Sequence, residues 1–224
     1  MGNLINYQDP SPWPWIIEHG GNEVMWLENS RSGTSTIKYF MGFGVNNFGK
    51  YKDQNRFKLT KLKQTASPEN IVKNIKTIKE SPRLSKIFKF GICRDPYRRI
   101  VSCYRMAKES VAKSGGYSVK NITFEDFVNK VVKEEWKNHH WAPQHWFLPT
   151  EKINFDIIFK LETLCDNFGI VFDKLNVNDK ELEVVRPLSK KVEYEVEPYL
   201  TNEETVQQIR EYYYKDFEIY ESGK

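Results

Sequence analysis

Residues 26–37 read WLENSRSGTSTI. An apolar run closes on Glu28, small and polar residues follow from Asn29 to Gly33, and a helix-like pattern begins near Thr34. A strand that feeds a glycine-containing loop and then a helix makes an anion site. The first N–H groups of the helix have no intrahelical partner, and the peptide dipoles place roughly half a positive charge at that end. Gly33 lets backbone approach a ligand closely, Ser32, Thr34, Ser35 and Thr36 offer hydroxyls, and Arg31 offers a planar cationic fork. A plain Ser/Thr-rich helix cap has the same composition, so this loop leaves both readings open. It is not the nucleoside-triphosphate loop, because the G-x-x-x-x-G-K-[ST] spacing is absent.

A second turn decides between them. KIFKFGIC (86–93) reads as a buried strand, and DPYRRIVSCYRMAKES opens a helix with Asp95 as N-cap and Pro96 at its first position. Arg94 stands at the strand end, able to curl over an anion at the helix start. Arg99 and Ser102 are three residues apart and share a helix face. Solvated surface charge is the alternative for Arg94 and Arg99. Arg-Asp-Pro at a strand end with Ser eight residues later is more specific than a run of charge.

Working outward, EVMWLE (23–28) is a short strand and residues 1–22, rich in Pro, Gly, Asn and Trp, an irregular lead-in. Residues 42–66 look like a long surface excursion. A helix over 67–80 has Ser67 as N-cap and Ile71, Ile75 and Ile78 on one face. Another is capped by Thr123. INFDIIFKLE is a strand, TLCDNFGIVFDKL a helix, and a C-terminal helix is capped by Thr201. Strands alternating with helices predict a single α/β domain over 23–220, with a central parallel sheet flanked by helices and a P-loop-like phosphate turn.

Composition bounds the partners. The 224 residues are 39% hydrophobic and 14% aromatic, enough for a true core, and the net charge of +4 is a mild anionic preference without the clustered basicity of a nucleic-acid binder. No stretch of about 18 apolar residues is present, so no membrane span is expected. MGNLINYQDPSPWPW has neither the basic start nor the apolar segment of a secretory leader, and Asn6 breaks the myristoylation pattern. Cys93, Cys103 and Cys165, an odd number with no C-x-x-C, fit a reducing compartment. A cytoplasmic location is the expectation.

The motifs SRSGTST and RDPYRRIVSCY resemble the 5′-phosphosulfate loop and the 3′-phosphate motif of sulfotransferases that use 3′-phosphoadenosine 5′-phosphosulfate (PAPS). The second matches Arg-Asp-Pro-x-x-Arg-x-x-Ser-x-Tyr at Arg94, Asp95, Pro96, Arg99, Ser102 and Tyr104. HHWAPQ (139–144), INFDIIFKLETL (153–164) and EYYYKDFEIY (211–220) are similar to segments of the Golgi carbohydrate branch. The likeness covers residues 23–220 as ordered blocks. Two departures stand out: Arg31 replaces the usual Lys, and the cysteine pair that follows the His-Trp-x-Pro segment in the Golgi members is missing.

The resemblance implies the sulfotransferase fold, PAPS as donor with PAP as product, no metal, and transfer to the hydroxyl of a small molecule or glycan. Arg31 with residues 32–36 would hold the phosphosulfate, and Arg94 with Ser102 the 3′-phosphate. Arg186 and Lys190, in the basic loop RPLSKK, would close over the nucleotide. Relatives often carry the base between the two phosphate motifs, where this chain has no His and only Glu69 and Glu80. His140, which matches the His of His-Trp-x-Pro-Gln, is favoured as catalytic base. Glu69 is the runner-up, and His139, His145 and His19 stay open. Trp136, Trp141, Trp146 and Phe147 are core residues for the most part, with one or two left as a ring platform. A degenerate module that holds PAP or a polyanion without chemistry is the competing reading. A kinase-like enzyme is disfavoured, because the Walker Lys and the Mg²⁺ ligand are absent.

Overall fold

A computed structural model of the chain describes residues 13–40, 57–61, 75–109, 116–177 and 195–224. Five strands form one sheet in the order β3-β1-β2-β4-β5: β1 Trp13–His19, β2 Asn22–Glu28, β3 Lys58–Lys61, β4 Phe88–Cys93 and β5 Ile157–Lys160. β2, β4 and β5 run parallel, with Leu27 beside Gly91 and Gly91 beside Ile158. The helices are α1 Thr34–Phe40, α2 over residues 75–80, α3 Pro96–Glu109, α4 Phe124–Val132, α5 Gln144–Phe147, α6 Leu164–Asn167, α7 Gly169–Leu175, α8 Glu203–Tyr212 and α9 Tyr214–Ser222. This is an α/β domain with the expected strand-to-helix turns after β2 and β4.

Alternation along the strands divides the core. Ile17, Val24, Trp26, Phe90, Ile92 and Phe159 face α1 and the α6–α7 pair, against Ile37, Phe168 and Phe172. Ile16, Met25, Leu27 and Cys93 point the other way, onto Ile75 and Ile78 of α2, Leu148, and Ile219 of α9. A third cluster lies among the helices, where α3 packs on α4 and α8 around Trp141 and Tyr213. The period of two in the strands thus buries both faces of the sheet.

Four expectations are corrected. The lead-in is not irregular throughout, because residues 13–19 form β1, paired antiparallel to β2 from Trp13–Glu28 to His19–Asn22. Gly20 and Gly21 make the turn, both with positive φ (57° and 83°), the backbone a tight two-residue hairpin needs. The sheet is therefore mixed: β3, inside the expected excursion at 42–66, adds a second antiparallel pairing on the outer side of β1. Among the described residues β1 is paired on both sides from Trp15 to Glu18, and Pro14 pairs with Leu27 of β2. The helix expected over 163–175 is broken into α6 and α7. The C-terminal helix is capped by Asn202, whose Oδ1 accepts from Thr205 N at 3.0 Å, not by Thr201, and it breaks at Tyr213. Tyr213 is buried, and its hydroxyl donates to Trp141 O at 2.6 Å, a tertiary bond that outweighs helical continuity. The Thr123 cap is present, its Oγ1 accepting from Asp126 N. Glu69 and the N-terminal part of the helix expected over 67–80 lie outside the described residues.

Candidate functional site

The turn after β2 is built from buried polar groups. Asn29, Ser30 and Ser32 are all buried. Asn29 Nδ2 donates to Ile92 O (3.1 Å) of the neighbouring parallel strand, and Thr34 Oγ1 donates back to Asn29 O (3.0 Å), which starts α1. Arg31 and Gly33 have φ of 64° and 80°. For Arg31 this left-handed backbone is strained by about 1–3 kcal/mol, a cost that tends to be tolerated at binding sites. Gly33 is required twice over: a Cβ there would lie 2.7 Å from Leu161 Cδ1. Just before the turn, buried Glu28 accepts from Lys38 Nζ and Trp15 Nε1, each at 2.7 Å, so its charge is compensated locally.

The turn after β4 has simpler geometry. Asp95 caps α3 by accepting from Arg98 N at 2.8 Å. Arg94, Arg99 and Ser102 are buried, and Arg99 Nε donates to Ser30 O at 3.1 Å, so α3 reaches across to the first turn. The reach is reciprocal: Arg31 Nη2 donates to Ser102 Oγ at 2.5 Å and to Ser102 O at 3.4 Å. The Cys103 thiol is pushed up by burial, while the guanidinium groups of Arg99, Arg31 and Arg94 pull it the other way, so all three arginines converge on one region. Arg31 Nε and Arg99 Nη2 are buried with no hydrogen-bond partner among the described residues. Cationic donors shut off from water and left unmade suit an anion.

The histidines separate. His139 and His140 lie ring to ring, centroids 4.0 Å apart, and His140 is tied by its backbone: its N–H donates to Asn138 Oδ1 (2.9 Å), and its carbonyl oxygen accepts from the Cys103 thiol (2.9 Å). Although His139 keeps solvent contact, the protein around it desolvates its ring and Arg99 adds to this. Its imidazole therefore titrates below the usual value, with Glu28 opposing. Of the two, His139 is thus within electrostatic range of Arg99. His145 goes elsewhere: Nδ1 lies 3.0 Å from Asp216 Oδ1, and its ring lines a cavity of about 490 Å³ with Trp146, Glu151 and Lys215. His19 Nδ1 meets Leu175 O at the opposite end of the sheet from the turns, beside Asn22, and β2 itself separates it from them by about 20 Å at roughly 3.3 Å per residue. It is not part of this site.

Of the other predicted site residues, Ser32 turns its hydroxyl inward to Gln144 Oε1 (3.0 Å) and its N–H to Asn29 O (3.4 Å), and Thr34 spends its hydroxyl on Asn29 O. Thr36 is half-buried on α1 beside Ser35. Arg186 and Lys190 lie outside the described residues. Trp141 and Phe147 are core residues, while Trp136 stacks on Tyr117 with centroids 5.0 Å apart. Sequence reasoning missed Gln144, which is fully buried against both turns; its signal was its place in the HHWAPQ segment. Among the described residues no group of His, Cys, Asp or Glu side chains is arranged to hold a metal ion, and no helix is long and apolar enough to cross a membrane.

The model of the Sulfotransferase family matches residues 18–221. None of the curated proteins and none of the solved structures matches the chain.

Proposed function

The chain belongs to the sulfotransferase family, and on that premise we propose that it moves the sulfuryl group of PAPS to an acceptor hydroxyl on a carbohydrate, by in-line displacement. The observation that carries the reading is the Arg31–Ser102 contact, which joins the loop expected at the phosphosulfate to the motif expected at the 3′-phosphate. The unmade donors on Arg31 and Arg99 support an anionic ligand in the same place.

When bound, PAPS supplies an activated sulfuryl group on a phosphate leaving group. Arg31 and the first backbone N–H groups of α1 are oriented before any ligand arrives, so they can neutralise charge as it collects on the leaving oxygen. Arg94 and Ser102 take the 3′-phosphate and so fix the nucleotide. Arg186 and Lys190 are proposed, on the resemblance alone, to close over it. His140 receives the acceptor's proton, with His139 as the competing base. The carbohydrate acceptor rests on the likeness of the HHWAPQ and EYYYKDFEIY segments to carbohydrate sulfotransferases.

Transfer from labelled PAPS to a panel of carbohydrates tests the reading. His140→Ala is expected to lower kcat by about 10²–10⁴-fold, the usual range for a lost general base, and to leave PAP affinity near wild type. The wild-type kcat/KM is expected to rise with pH through one ionisation, that of the base. With His139 as base, that ionisation sits below the usual imidazole value, and His139→Ala is the crippled variant. Tight PAP binding with no turnover on any carbohydrate would sink the transferase reading and leave a binding module.

A further inference from the structure

The structure assigns Gln144 a positioning role: its buried amide clamps the two phosphate turns at a fixed separation and so sets how well the site grips a bisphosphate. Its Oε1 accepts from Asn29 Nδ2 (2.9 Å) and Ser32 Oγ (3.0 Å) of the first turn and from Arg94 N (2.9 Å) of the second. Its Nε2 donates to Arg94 O at 2.8 Å. The Arg94 N–H and C=O together define which amide atom is which. One side chain thus ties the end of β2 to the end of β4.

The clamp has its own support. Gln144 N donates to Asp216 Oδ2 at 2.6 Å and His145 N to Asp216 Oδ1 at 2.9 Å, and Asp216 of α9 is fully buried. A side chain deep in the protein that accepts two backbone N–H bonds, with the His145 imidazole Nδ1 3.0 Å from its Oδ1, holds α5 in one place. The connection runs from the C-terminal helix through Gln144 to both turns. Gln144 has no solvent exposure, so it works through Asn29, Ser32 and Arg94 and does not touch a ligand.

A ligand with a phosphate at each end gains most when both sites are pre-set at its own span, because the second contact is then intramolecular. If the turns can drift apart, each phosphate still finds its own turn, but the advantage of the linked pair is lost. This inference rests on the reading of the turns as the two ends of a PAPS site.

Calorimetry with adenosine 3′,5′-bisphosphate, 3′-AMP and 5′-AMP on the full chain tests it. In wild type the bisphosphate is expected to bind far tighter than either monophosphate. Gln144→Leu is expected to weaken the bisphosphate at least tenfold more than it weakens either monophosphate, and Asp216→Asn to act in the same direction to a smaller extent. Equal weakening of all three ligands, or an unchanged bisphosphate, would overturn the clamp. Should Gln144→Leu not fold, Asp216→Asn decides: a selective bisphosphate loss supports the clamp and a uniform one overturns it. A wild-type protein that does not prefer the bisphosphate would instead overturn the functional reading on which the clamp rests.

Discussion

The turn after β2 and the turn after β4 leave neighbouring parallel strands at the same end of the sheet, yet they are held by different physics. The first is strained: two left-handed residues, Arg31 and Gly33, bend it back on itself, and its polar side chains are spent on its own backbone and on Gln144. The second is an ordinary helix start, capped by Asp95, with the charge carried on buried Arg94 and Arg99. The first turn therefore offers backbone donors and the Arg31 guanidinium in a costly conformation, and the second offers side-chain cations in a relaxed one. A substitution in the first should act through shape and stability, and one in the second through a specific ligand contact.

The largest effect that could break this contrast is at Arg94. Arg94→Ala is expected to weaken PAP about ten- to over a hundredfold, since a charge-assisted contact contributes roughly 1.5–3 kcal/mol. Adenosine 5′-phosphosulfate, which lacks the 3′-phosphate, should lose much less. Parallel calorimetric titrations check this, and equal losses would mean the second turn does not read the 3′-phosphate. Ser102→Ala should be less selective, because it also removes the acceptor on which Arg31 rests. Next comes Gly33→Ala, which meets Leu161 Cδ1 and an unfavourable φ. The backbone alone costs about 1–3 kcal/mol, a fall in Tm of about 2–4 °C per kcal/mol for a domain of this size. A melting curve that does not move would show that the first turn is not strained. The smallest is Asp95→Ala, which removes the α3 cap and should cost about 1 kcal/mol, seen as a Tm shift of a few degrees with selectivity between the two nucleotides intact. Loss of that selectivity would show that the second turn depends on shape as much as the first.

The same contrast explains what the sequence made legible. Both turns are local: the anion loop spans Asn29 to Gly33, and the Arg94–Ser102 spacing is fixed by one turn and one helix, so short motifs reveal them. The β1–β2 hairpin was also within reach, since Gly20-Gly21 between two apolar runs is a hairpin signal, but Pro14 and the tryptophans masked the strand. The antiparallel edge could not be read, because β3 joins β1 from more than forty residues away. Gln144 and Asp216 are 72 residues apart, and their bond reports nothing in either local stretch. The break at Tyr213 depends likewise on a tertiary partner, Trp141, whereas the Asn202 cap is local, with Thr205 three residues on, and adjacent Thr201 offered the same kind of capping side chain.

The three cysteines divide in a way that makes the chain easy to instrument. Burial pushes the Cys93 thiol up to about 12, with Glu162 adding to it, and burial raises Cys103 as well, so neither forms appreciable thiolate near neutrality. Cys165, on α6, is exposed. Its neighbour Leu164 lies with its Cδ2 3.9 Å from where a Cβ on Gly33 would sit. A maleimide dye at neutral pH should therefore couple at one position, one residue away from the floor of the turn after β2. Its emission would then follow anion binding in real time, with no cysteine removed and no new one introduced.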